Sequence, residues 1–164
     1  MRPILEPSRI IGALNVNRIG NFAFAALAAA ATANAADIEY FTRAVSSGPP
    51  LPFSEAVRVG DTLYLSGEVG VVPGTVNLVP GGIGPEAHRV MDNIKGVVEK
   101  HGGSMEQLIK CTVFLADIRE WPAFNAVYRE YFKTNLPARS AFATNGLVFN
   151  ARVEVECIAH LPKR

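Results

Sequence analysis

This sequence has no cluster of metal ligands, no surplus of one charge and no long uninterrupted apolar run, and each absence removes a class of function. Its histidines, His88, His101 and His160, and its cysteines, Cys111 and Cys157, show no metal-ligand spacing and no Cys-x-x-Cys pair. No metal and no redox-dithiol centre is therefore expected. Each histidine reads most simply as a surface or helix-end residue. The 16 basic and 15 acidic residues leave a formal charge of +1, which provides no electrostatic footprint for nucleic acid. The glycines between Val71 and Gly84 lack the strand-turn-helix setting of a phosphate or dinucleotide cradle, so no cofactor is expected. With 49% hydrophobic and 19% charged residues, what remains is one soluble globular domain large enough for a single core. Cys111 and Cys157 sit in strand-like apolar runs, where a buried thiol is the commoner state. Whether they pair depends on strand adjacency, which sequence leaves open.

The first 35 residues differ from the rest. Arg9 and Arg18 precede an alanine-rich apolar stretch from Ile19 to Thr32, and Ala33-Asn-Ala35 supplies the small residues a signal peptidase prefers. The stretch is too short and too alanine-rich for a comfortable transmembrane span. The expectation is a signal peptide over residues 1–35, cleaved after Ala35, and a periplasmic or secreted product with no membrane attachment once it is removed. Taking away Arg2, Arg9, Arg18 and Glu6 leaves 13 basic and 14 acidic residues, a net −1. Residues 36–52 read as an extended lead-in that ends in the breaker cluster Ser46-Ser-Gly-Pro-Pro50, and residues 53–164 as the folded domain.

Within that domain the period of the apolar residues changes from element to element. Phe53–Val59 and Thr62–Ser66 alternate around Gly60-Asp61, a tight hairpin. Ala87, Val90, Met91, Ile94, Val97 and Val98 recur at three and four residues, which predicts a helix from Pro85 to His101, closed by Gly102-Gly103. Gln107–Ala116 reads as a central strand. A second helix is expected from near Asp117, with Pro122 in its opening turns and Phe124, Val127, Tyr128, Tyr131 and Phe132 as its anchoring stripe. Two strands close the chain, about 140–147 and 151–160. This order predicts an α+β fold, a mixed sheet with both helices on one face. The other face, apolar with a few charges, should be buried by self-association.

Residues 135–158 carry the most informative charges. Arg139 follows Pro137 at the start of one strand, and Glu154 and Glu156 alternate with Val153, Val155 and Cys157 in the next. Successive strand side chains change face, so the two glutamates share one face and the valines and Cys157 the other. Arg139 is suited to forking a carboxylate and Glu154 to steering a water. A plain cross-strand ion pair on a solvated face is the competing reading.

Together with Leu63-Tyr-Leu-Ser-Gly67 and the run from Asp117 to Phe132, this stretch resembles the RidA/YjgF family, also described as L-PSP endoribonuclease-like. The resemblance extends from about Leu51 to Ala159. It implies a chorismate-mutase-like homotrimer with three ligand clefts between subunits, and the hydrolysis of reactive enamines and imines of the 2-aminoacrylate or 2-imino acid type to 2-keto acids and ammonia. Carried over residue by residue, it implies that Arg139 binds the carboxylate of a small-molecule substrate and that Ser66 and Gly67 contact its amino group. Asn125 would fix the pocket's geometry, and Glu154 would orient water and shuttle its proton. Three positions depart from the common pattern: Phe53, a further expected substrate-binding residue, replaces a tyrosine, Glu68 a glutamine and Ala141 a cysteine. These departures leave a second reading open, a trimeric carboxylate-binding or scaffold protein without turnover. A neutral chain with no histidine pair gives little support to ribonuclease activity. The physiological substrate is not legible in the sequence.

Overall fold

Alternating side chains and two amphipathic helices assemble into one mixed sheet with a covered face and a bare one. The structure is a computed structural model that describes residues 37–43 and 51–162. The expected signal peptide, its cleavage site and the whole breaker cluster lie outside these residues. The strands are β1 (Ile38–Phe41), β2 (Ala56–Val59), β3 (Thr62–Leu65), β4 (Glu68–Val69), β5 (Leu108–Leu115), β6 (Ala138–Ala143) and β7 (Val153–His160). Their order is β1-β2-β3-β7-β5-β6, with the short β4 also on β7. Among the described residues only β5 and β6 run parallel, and the helix α2 (Trp121–Tyr128) makes the crossover between them. The lead-in thus contains an edge strand, β1, paired antiparallel to β2. At the β2–β3 hairpin Gly60 takes φ 56°, a left-handed turn conformation that a side chain would oppose.

The first helix, α1 (Ile83–Lys100), starts two residues before its expected position, and it buries all six residues of the stripe read from the sequence. The second starts four residues late. Asp117 caps a single 3-10 turn over Ile118–Glu120 by accepting the Arg119 N–H, and α-helical bonding begins only at Trp121. Pro122 has no N–H to give back to residue 118, so the α-helical ladder cannot extend through it. Both helices pack on the face carrying Leu63, Cys111, Val113, Val153, Val155 and Cys157, and these residues form one core with Phe124 and Tyr128.

The cysteines correct the expectation of buried thiols. Cys111 and Cys157 are directly opposite on antiparallel β5 and β7, their Cα atoms 4.1 Å apart, and they are joined in a disulfide. Direct cross-strand pairing brings the side chains within bonding reach, a fact of register that composition does not contain. The bare face carries Tyr64, Lys110, Thr112, Phe114, Phe142, Glu154, Glu156 and Ile158. Phe114 and Phe142 meet edge to face at 5.1 Å, and Lys110 donates to Ser140. A hollow of about 220 Å³ on this face is lined by Tyr64, Leu65, Lys110, Thr112, Glu156, Cys157 and Ile158; none of the predicted site residues lines it. Among the described residues no helix is long and apolar enough to cross a membrane, and no group of three or more His, Cys, Asp or Glu is gathered as for a metal.

Candidate active site in two halves

The first half forms where α2 crosses the edge strand. Arg139 is in register with Cys111, so it points to the helix-covered side. Its neighbour two residues on, Ala141, packs against the core. The guanidinium lies over the Tyr128 ring at 4.5 Å and 5.9 Å from that of Trp121, and its Nη2 donates to Asn125 Oδ1 at 2.8 Å. Trp121, Asn125 and Tyr128 sit at i, i+4 and i+7 of one helix face. Stacking on two aromatic faces holds the charged plane at little solvation cost and leaves its edge for hydrogen bonding. Nη1 of Arg139 and the Tyr128 hydroxyl are buried and without hydrogen-bond partners. Burial pushes the Tyr128 hydroxyl up to about 12 against the pull of Arg139, so it stays a neutral donor. Trp121, 42% exposed, leaves this half open to solvent.

The second half lies on the other side of the sheet. Glu154 faces the bare side, opposite Phe114 on β5 and Val69 on β4. Gly67 lies so close that a Cβ there would overlap Glu154 Oε1, and the lack of a side chain is what admits the carboxylate. The Ser66 hydroxyl donates to the Ser54 carbonyl at 2.7 Å, and Ser66 N–H to the Glu55 carbonyl at 3.0 Å. This ties the Ser-Gly corner to the segment that carries Phe53, itself 53% exposed. At the other end, buried Glu86 accepts the Arg152 N–H at 2.8 Å and fixes the start of β7 two residues before Glu154. Burial first, then Glu156 and Glu68, raises the proton affinity of Glu154 above that of an ordinary glutamate.

Arg139 and Asn125 are thus brought together, and so are Glu154, Gly67 and Ser66, but the two sets lie on opposite faces of one chain's sheet. The cross-strand ion pair considered from sequence does not form. Of the aromatic platform under Arg139, the sequence places Tyr128 in the core stripe and leaves Trp121 without a role, although the spacing of Trp121, Asn125 and Tyr128 puts all three on one helix face. Glu68, which stands where the family pattern has a glutamine, is turned to the helix side, 3% exposed, and held by Arg43.

A mixed sheet with two helices on one face, an arginine at its edge and a Ser-Gly corner against a glutamate define the RidA-like fold class. Residues 45–161 match the family described as Endoribonuclease L-PSP, and the chain belongs to that family. A 2-iminobutanoate/2-iminopropanoate deaminase of Capra hircus is 42% identical over 108 residues, 66% of this chain and 79% of that one. Among solved structures, YyfA of Yersinia pestis, of the conserved Rid protein family, superposes with a TM-score of 0.70 at 30% identity, covering 76% of this chain and all of its own. TdcF of E. coli, solved with bound serine, gives a TM-score of 0.67 at 27% identity over 74% of this chain and 98% of its own.

Proposed function

We propose that this protein hydrolyses small 2-imino acids and their enamine tautomers to 2-keto acids and ammonia, in clefts that take Arg139 from one copy and Glu154 from the next. The observation that carries the reading is Arg139 itself: a guanidinium held in place by Asn125 and two rings, with a buried Nη1 that has no partner in its own chain. A planar carboxylate is the ligand that such a fork accepts. The deaminase name carried by relatives about 40% identical supports the same chemistry.

With the substrate carboxylate on Arg139, water adds its oxygen to the imine carbon and the C=N π pair moves to nitrogen. Glu154 takes the proton from the water and returns it to that nitrogen. In the collapse of the carbinolamine the hydroxyl proton passes to the amino nitrogen, the C–N bond breaks, and ammonia leaves as the keto group forms. The imine carbon is already electrophilic, so placement supplies most of the acceleration. An enamine first takes a proton at carbon to become the imine.

The opposite faces of Arg139 and Glu154 favour a cyclic homotrimer, in which the bare face of each copy is covered by a neighbour and the two halves meet across the interface. Export fits the disulfide, since such bonds persist in oxidising compartments. The test is hydrolysis of 2-iminobutyrate, generated in place by an amino-acid oxidase and trapped with semicarbazide, by residues 36–164 and by Arg139→Ala. Acceleration lost in the variant supports the reading. Equal rates with both proteins overturn it, and saturable 2-keto acid binding without turnover would establish the carboxylate-binding alternative.

A further inference from the structure

Two buried carboxylates flank the Ser66-Gly67 corner, and one guanidinium spans them. Glu55, 4% exposed, precedes β2, and its carbonyl accepts the Ser66 N–H; Glu68, 3% exposed, directly follows Gly67. Arg43, just past β1, reaches Glu55 Oε2 through Nε at 3.4 Å. It takes Glu68 with both terminal nitrogens, Nη1 at 3.4 Å and Nη2 in closer contact. Glu55 has a second cation in Lys100, whose Nζ donates to both its oxygens at 3.0 and 3.1 Å, and His101 Nε2 lies 3.7 Å from it. Among the described residues Glu68 is paired with Arg43 alone. A buried carboxylate without its counter-charge is costly, and two near each other repel.

We infer that Arg43 is a positioning residue, a clamp that by bridging Glu55 and Glu68 holds the Ser66-Gly67 corner against Glu154. The inference rests on the reading of that corner and Glu154 as half of the active site. Arg43 lies outside residues 45–161, which match the family. The clamp therefore belongs to the lead-in and makes β1 part of the site's support. The charged groups around Glu68 are Arg43, Glu55 with Lys100 and His101 of the α1 end, and Glu154 on β7; Glu86 at the α1 start packs against Gly70 instead. Arg58 is turned away, onto the carbonyls of His101 and Leu161. Burial already raises the proton affinity of Glu68 and Arg43 holds it down, so removing Arg43 should bring its ionisation toward neutrality. Below that pH an uncharged Glu68 leaves the corner in place; above it an unpaired buried charge displaces the corner.

The experiment compares Arg43→Met, Glu68→Gln and the double variant in the 2-iminobutyrate assay from pH 5 to 9, with thermal melts and the Gly67 amide resonance followed in parallel. Arg43→Met should lose about tenfold in kcat at pH 8 and recover as pH falls, a new basic limb absent from the wild type, with KM, set by Arg139, changing less than twofold. In the double variant the limb should vanish and kcat return to within about threefold of wild type. A lower melting temperature with an unchanged pH profile, or a limb that persists in the double variant, overturns the clamp. Should Arg43→Met not fold, the double variant decides: full turnover with a native Gly67 resonance supports the clamp, and a displaced Gly67 overturns it. If the wild type hydrolyses no imine, the functional reading fails separately. The clamp is then judged on Gly67 alone, which must shift in Arg43→Met and revert in the double variant.

Discussion

The Arg139 half and the Glu154 half are built in opposite ways. Arg139 is a permanent charge laid on aromatic faces and held by one neutral amide, in a setting fixed by a single helix. Glu154 is a titratable charge among other carboxylates, held by the close approach of Gly67 and by ties to β4, the α1 start and the lead-in. A binding group needs a constant charge and a rigid plane. The proposed proton shuttle requires an environment that shifts its affinity, which a half drawing on many elements of the fold supplies.

The largest expected effects come from removing either charge. Arg139→Ala and Glu154→Gln should each cost about 100- to 1,000-fold in kcat/KM while the fold stays intact, by removing a charge-assisted contact and a proton carrier respectively. Mixing the two dead variants by co-refolding breaks the comparison more sharply. If the halves come from different copies, clefts that combine the intact Arg139 of one variant with the intact Glu154 of the other should restore about a quarter of wild-type activity. A site contained within one chain would restore nothing.

Gly67→Ala should cost about tenfold in kcat with little change in melting temperature, because the new methyl displaces the Glu154 carboxylate, the free end of a flexible side chain. Binding of a 2-keto acid at Arg139 should be nearly unaffected, which separates the halves by readout. The pH profile separates them again. In the proposed reaction Glu154 acts when ionised, and its affinity for the proton is raised, so kcat should fall as pH drops through a value above that of an ordinary glutamate. That limb should move down in Glu156→Gln, and the Arg139 contribution to KM should stay flat. The smallest effect on turnover is expected from Cys111→Ala/Cys157→Ala. Loss of the disulfide, which closes a loop spanning 46 residues, should lower stability by about 3–4 kcal/mol in melts while kcat stays within about twofold.

Much of this was legible in the chain. The α1 stripe from Ala87 to Val98, the alternation that gives Glu154 and Glu156 one face and Cys157 the other, and the hairpin at Gly60 follow from local periodicity and backbone preference, which neighbouring residues carry by themselves. The glycine beside Glu154 and the arginine after Pro137 could be named as site residues from the resemblance. What could not be read was every relation that depends on which strands are neighbours. Register on β5 and β7 placed Cys111 against Cys157, and the parallel pairing of β6 with β5 turned Arg139 to the helix side, away from Glu154. The folding of the lead-in brought Arg43 onto Glu68, 25 residues away. Periodicity assigns a side chain to a face, but only the tertiary arrangement determines what that face meets, because pairing between distant strands is decided by the packing of the whole sheet.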